Sequence, residues 1–344
     1  MKLCHGQHIL RFSILAFFVS GVLPLCAQVK WQPGHYDLIG WKEAPSRWSV
    51  IATNRYWQGG QRLYLWKHLE PEEGKYDFSR VEEDIAYLKQ HGKYLVIEVW
   101  DNMFFGKKRA VPDYLVSDPV YEGGIVYRRG KRKDGSGRGT VAKRWVPAVM
   151  DRYIALLEEL GKRYDAEPCV AGLVHTETSI GLGKGGESYT SEKFMTQMNR
   201  LVSASRKAFP TTPVIVYGNW WPKGGVVQLR QLAEQCYRHG VGWGGPDICP
   251  GNKGHGYQIH PEYKGKMAFG VAAQWQSYDG RWTAEEILKY GLNELHLNFF
   301  FWNDVERRDS GGISFRQDVI PVVARYKGRV HTARPENLSM PPVK

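Results

Sequence analysis

From residue 28 onward, short apolar runs alternate with amphipathic stretches, and this alternation constrains the fold more than any other feature of the chain. Strand-like runs fall at His35 to Trp41, Arg62 to Trp66, Tyr94 to Trp100, Val170 to Thr176, Pro213 to Tyr217, Val241 to Ile248, Met267 to Gln274 and Leu295 to Phe301. Helical periodicity lies between them, at Ser79 to His91, Pro147 to Tyr164, Ser191 to Phe209, Val227 to His239, Ala284 to Tyr290 and Gln317 to Tyr326, the last disturbed by Pro321. Ser79 with Glu82, and Thr283 with Glu286, read as capping boxes, and Gly92, Gly240 and Gly291 read as stops. Strands that alternate with helices form a parallel sheet, and eight of them close a (β/α)8 TIM barrel. An open doubly wound sheet is the second architecture the pattern allows. No glycine-rich phosphate loop follows an early strand, which counts against a nucleotide-binding version. No repeat or linker divides the chain, so residues 28–331 form one barrel with an extended loop after strand three, and 332–344 form a loose Pro-rich tail.

Residues 1–27 read as a secretory signal. Lys2 and Arg11 supply the positive end, Ile14 to Val22 the apolar stretch, and Ala27 the last residue before cleavage. The mature chain is expected in the periplasm or the medium, with no membrane association once the signal is gone. Cys4 and Cys26 belong to the signal. Cys169, Cys236 and Cys249 remain, an odd count that excludes a full disulfide framework; Cys236 and Cys249 could pair, or all three are buried small side chains. The formal net charge is +12, and much of the excess lies in one loop: Lys107, Lys108, Arg109, Arg128, Arg129, Lys131, Arg132, Lys133, Arg138, Lys143 and Arg144. Interleaved glycines make this a basic hairpin, either solvated or set to attract anionic substrates. Export and the lack of a recognition motif exclude a nucleic-acid partner.

Barrel enzymes act at the C-terminal ends of their strands. Here those ends read Trp66; Trp100-Asp101-Asn102; His175-Thr176-Glu177; Asn219-Trp220-Trp221; Trp243 with Asp247; Gln274-Trp275-Gln276; and Trp302-Asn303-Asp304. Indoles with amides and carboxylates between them suit a sugar, whose ring has an apolar C–H face and a polar edge. Carbohydrate is therefore the expected partner. Trp66, Trp100, Trp221, Trp275 and Trp302 are the expected platforms. Asn219, Gln274, Gln276, Asn303 and Asp101 are the expected hydroxyl partners.

Residues 63–78, LYLWKHLEPEEGKYDF, with the following helix and KYLVIEVW, resemble the second and third strands of clan A glycoside hydrolases, the beta-galactosidase-like members in particular. The resemblance is close over residues 60–100 and architectural beyond. It implies a (β/α)8 barrel acting on glycosidic bonds, with the catalytic acid where VAGLVHTE ends, at Glu177. A carboxyl that ends a buried strand is partly desolvated, which holds its proton for the leaving-group oxygen. The clan's Asn before this Glu is Thr176 here, and its strand-seven nucleophile falls on Gln274 or Gln276. A neutral amide cannot form the glycosyl ester of the retaining route.

Three readings follow from that departure. The enzyme inverts, with Asp247, ahead of Asp304, activating water. It has lost catalysis and kept sugar binding. Or the strand-seven register differs and Asp279 takes the role. Glu98 points into the barrel, where it needs a partner such as Lys or Arg. Glu70 is read as structural. His175, His255 and His260 lack metal-ligand spacing, so neither metal nor cofactor is expected. Tyr257 and His260 lie in a Gly-rich loop that could contact substrate. The expectation is a secreted glycoside hydrolase of a poly- or oligosaccharide, with an anionic glycan within its range. The alternatives are a non-catalytic glycan-binding barrel and a polysaccharide lyase on uronates.

Overall fold

The computed structural model describes residues 28–104, 106, 108–130, 139–252, 254, 256–306 and 311–340. The expected signal with Cys4 and Cys26, the loop residues Lys107, Lys131, Arg132, Lys133 and Arg138, and His255 lie outside them.

Eight parallel strands close a barrel, each hydrogen-bonded to its neighbours in chain order. They are β1 (Gly34–Ile39), β2 (Trp57–Leu65), β3 (Tyr94–Trp100), β4 (Val170–His175), β5 (Val214–Tyr217), β6 (Gly242–Gly245), β7 (Phe269–Ala273) and β8 (Phe299–Asn303). Around them lie helices α1 (Ser79–Gln90), α2 (Pro147–Tyr164), α3 (Ser191–Ala208), α4 (Val226–Arg238), α5 (Ala284–Asn293) and α6 (Ile320–Arg325). This is the expected (β/α)8 barrel.

The two-residue period of each strand sorts side chains into two layers. Tyr36, Leu38, Leu63, Val96, Val174, Ile215, Tyr217, Ala272, Phe299 and Phe301 fill the barrel interior. Phe300 and Trp302, one residue out of step, join the larger layer between strands and helices. Gly270 makes room for this inner packing: a Cβ there would lie 2.7 Å from Ile215 Cδ1 and 2.9 Å from a ring carbon of Phe301.

Five local expectations change, and one is that Gly291 is buried inside α5 rather than stopping it. β2 begins at Trp57 rather than Arg62, because Gly59 and Gly60 admit close approach: a Cβ on Gly60 would overlap the Trp48 indole. The α1 cap is not the expected Ser79–Glu82 box; Asp77 Oδ1 accepts the Ser79 N–H at 3.0 Å instead. Pro321 lies in the first turn of α6, after a wide turn at Phe315–Val319, so it starts that helix rather than disturbing it. The tail is packed as far as Met340 rather than loose: Asn337 is buried and donates to the Val241 carbonyl at 3.0 Å. The Thr283–Glu286 box forms as expected. Between β6 and β7 a 3-10 helix, Tyr257–Tyr263, replaces an α-helix.

Cys169, Cys236 and Cys249 are buried free thiols, so Cys236 and Cys249 do not pair. The long loop after β3 carries a three-stranded antiparallel sheet, Asn102–Met103, Ile125–Tyr127 and Thr140–Ala142. It joins the loop after β4 through a bridge from Arg128 to Leu182. Among the described residues no helix is long and apolar enough to cross a membrane.

Candidate active site

Glu177 follows β4 by two residues and is 6% exposed. Its side chain accepts from Asn219 Nδ2, and its backbone carbonyl accepts from Arg144 Nη2 at 2.5 Å. Arg144 also forms an ion pair with Asp101, Nε to Oδ2 at 3.0 Å, and Thr176 donates a hydrogen bond to the other Asp101 oxygen at 2.7 Å. Arg128 reaches in from the basic loop. Its guanidinium donates to Asn102 Oδ1 at 3.2 Å and to the Ser179 carbonyl at 3.3 Å, and lies over the Phe104 ring. Burial raises the Glu177 pKa, while Arg128, the Asn219 amide and Arg144 pull it back down.

Asp247 follows β6 by two residues and is equally withdrawn from solvent. Burial and the neighbouring Glu177 push its pKa up to about 7, against one favourable contact with the Gln276 backbone N–H. Glu98 faces inward from β3. Gln61 Nε2 donates to its Oε2 at 2.9 Å, and the Trp100 side chain supplies a second hydrogen bond. Burial, with Glu177 adding, raises Glu98 to about 8. The partner of Glu98 is thus an amide and an indole, not the expected Lys or Arg, because its inward neighbours are Gln61 on β2 and Trp100 two residues on. The Tyr217 hydroxyl faces Gln61 at 3.4 Å and feels both Glu98 and Asp247. Three carboxyls from β3, β4 and β6 therefore meet at the mouth of the barrel.

Other expected residues lie elsewhere. Asp304 is held by Arg47, with contacts of 2.5 and 3.0 Å, and the charges acting on it are Arg47, Arg316 and Glu306. It sits with Asp37 behind the wall formed by β1 and β8. The Trp66, Trp221 and Trp302 indoles are buried in the outer layer, donating to Glu70 at 2.9 Å, Ser191 at 2.8 Å and His35 at 2.9 Å. Those three expected platforms do not line the mouth: the pleat or a following turn aims each at a helix. Trp100 is half-buried against the inner cluster. Trp275 and Trp220 are exposed, 56% and 53%, so at the end of β5 the accessible indole is Trp220 rather than its neighbour.

The Asn219 amide is committed to Glu177, and its oxygen accepts from the Ser179 and Trp220 N–H groups at 3.2 and 2.7 Å. It positions Glu177 more directly than it could meet a sugar. Asp101 is committed to Arg144. Gln274 is partly buried and Gln276 is exposed, touching Asp247 through its backbone. Asn303 ends β8 with a buried side-chain oxygen that has no protein hydrogen-bond partner. Asp279 pairs with Arg281 at 2.7 Å.

Glu70 accepts from Trp66 and Gly74 and pairs with Arg152, as a structural residue would. His175 is wedged between Tyr153 and Ser205, and His260 is buried on Phe269 with its Nδ1 at the Leu295 carbonyl. Sequence reading missed Gln61, Arg128, Arg144 and Tyr217 as site residues. Strand parity could have found Gln61, since it shares the inward register of Leu63.

No protein family model and no curated protein matches the chain. Solved structures do. The beta-galactosidase of Bacillus circulans sp. alkalophilus superposes with a TM-score of 0.58 at 10% identity, over 86% of this chain and 55% of that one. The beta-galactosidase of the Antarctic haloarchaeon Halorubrum lacusprofundi gives 0.53 at 15% identity, over 90% and 56%. Endo-glycoceramidase II of Rhodococcus sp. gives 0.50 at 10% identity, over 81% and 74%. All are clan A glycoside hydrolases, and what is shared at this identity is the barrel. The chain spans little more than half the length of the two beta-galactosidases, 55% and 56%.

Proposed function

We propose that the chain is an exported glycoside hydrolase that cleaves a glycosidic bond in a poly- or oligosaccharide, with Glu177 and Asp247 as its carboxyl pair. One observation carries the reading. Two buried carboxyls end β4 and β6 at the mouth of the barrel, close enough that the charge of Glu177 raises Asp247. Glycoside cleavage needs such a pair, one member protonated and one ionised. The fold neighbours support a glycosidase coarsely. Clan A enzymes place their acid where Glu177 falls, which gives this residue the proton in the simplest transfer of the resemblance.

Gln274 and Gln276 follow β7 where the clan carries its nucleophile, and neither can form an ester. Water is then the attacking group, activated by the ionised carboxylate, and the anomeric configuration inverts. Trp100, Trp220 and Trp275 would face the sugar rings. Asp304 is set aside as a base because Arg47 holds its charge.

The test is anomer-resolved NMR of products from a glycan panel that includes acidic polymers, with wild type beside Glu177→Gln. Release of the inverted anomer, abolished by the substitution, is expected. Retention would return a carboxylate to the β7 loop. Binding without cleavage would make the protein a glycan-binding barrel, and unsaturated products absorbing in the ultraviolet would make it a lyase.

A further inference from the structure

Glu177 and Asp247 stand at equivalent positions, each two residues beyond the end of its strand. Their surroundings differ in sign. Around Glu177 are the guanidiniums of Arg128 and Arg144 and the Asn219 amide, which donates to the carboxylate directly. One anion, Asp101, stands nearby, and Arg144 forms an ion pair with it. Asp247 is buried, feels the charge of Glu177 and accepts from the Gln276 N–H, and its own charge acts on the Tyr217 and Tyr257 hydroxyls and the Cys249 thiol. Among the described residues none of these is a cation. Buried negative charge settles where cations and donors already point.

We propose that Asp247 carries the proton and acts as the general acid, while Glu177, the residue in the clan's acid position, stays ionised and activates water. The assignment rests on the glycosidase reading above. Asp247 gives its proton to the glycosidic oxygen as the bond from C1 to that oxygen breaks. Water adds to C1 from the opposite face and loses a proton to Glu177. The leaving group departs as an alcohol and the sugar as its hemiacetal, and solvent carries the proton from Glu177 back to Asp247. The upward shift of Asp247 to about 7 agrees with this order of ionisation.

Leaving groups separate the two roles. A dinitrophenolate departs without protonation, whereas a phenolate needs the acid. Wild type, Asp247→Asn and Glu177→Gln are to be compared on phenyl and dinitrophenyl galactosides, glucosides and glucuronides, with circular dichroism as the folding control. We expect Asp247→Asn to lose about 10³-fold on the phenyl substrate and less than about 10-fold on the dinitrophenyl one. Glu177→Gln should lose both equally, and azide, which needs no base, should restore it. The reverse pattern overturns the assignment and leaves the glycosidase reading standing. If wild type cleaves no glycoside, the reading falls and the assignment with it.

A pH profile serves if Asp247→Asn does not fold. In Glu177→Gln the alkaline limb of kcat/KM should move to lower pH, because the charge that raised Asp247 is gone. Disappearance of that limb would make Glu177 the acid.

Discussion

The barrel holds two buried carboxyl groupings at the same end, and they are built for opposite purposes. Asp37 and Asp304 lie behind β1 and β8, in the outer layer, with Arg47 bonded to Asp304 and Arg316 within 3.8 Å. Glu98, Glu177 and Asp247 face the barrel axis, and no cation pairs with Asp247 or Glu98 among the described residues. In the first grouping Arg47 and Asp304 tie the loop after β1 to the end of β8, while the Asp37 carboxyl beside them has no hydrogen-bond partner among the described residues and its pKa is pushed well up by burial and the Asp304 charge. The second leaves Glu98 and Asp247 raised by burial at the mouth of the barrel, with no cation to hold them ionised among the described residues. A buried acid marks chemistry only where its partners leave its protonation adjustable.

The largest effect expected from this contrast is on turnover. Glu177→Gln should lower kcat/KM by about 10³-fold or more, while Asp304→Asn should leave it within about 3-fold. Comparable losses in the two variants would erase the distinction between the groupings. The indoles sharpen it next. Trp66→Ala empties a fully buried site against Tyr153 and should cost about 3–5 kcal/mol in urea unfolding. Trp100→Ala should cost less stability and raise KM for an oligosaccharide. A higher KM in a folded Trp66 variant with wild-type stability would place that indole in the mouth after all.

Removing Arg47 should destabilise the chain by about 2 kcal/mol, less than for a fully buried pair because Arg47 is 36% exposed while the Asp304 side chain is 0%. Unchanged stability of Arg47→Ala, measured by urea unfolding, would make the Asp304 grouping a surface ornament. The smallest effect is in pH. Glu98 and Asp247, at about 8 and about 7, keep protons in the folded chain that the unfolded chain releases near pH 4. The folded state therefore binds more protons between those values, and stability falls as pH rises from about 4 to about 8 and is flat beyond. His35 and His175, lowered to about 4 and about 3 by burial, act only below about pH 6.5, where the unfolded chain takes up their protons and stability falls with acid. Melting temperatures of wild type and Glu98→Gln across about pH 6.5 to 8, where the histidines no longer act, check this. The fall should be shallower in the variant, and an identical fall would mean that Glu98 is already ionised at neutral pH.

Much of the architecture was legible in one dimension. Eight apolar runs separated by helical periodicity admit few folds, because a parallel strand must be covered on both faces. The β4 run VAGLVH needs no partner to be recognised, and Glu177 at its end follows from the barrel rule. Capping chemistry was legible where it is purely local, as at Thr283 and Glu286. It failed at Ser79, where Asp77 reaches the same N–H from two residues earlier.

What the sequence by itself determined is the order of elements and the short roster of residues at their C-terminal ends. Both depend on period and spacing, which are properties of neighbours along the chain. Only the tertiary structure decided which of those residues face the axis. Trp302 and Asp304 end a strand as surely as Asp247 does, yet a one-residue change of parity and a turn send them to the outer layer. Partners were equally out of reach. Arg47 meets Asp304 across 257 residues and Asn219 meets Glu177 across 42. A carboxyl's charge is set by such long-range contacts and by burial, and neither is written in its local sequence.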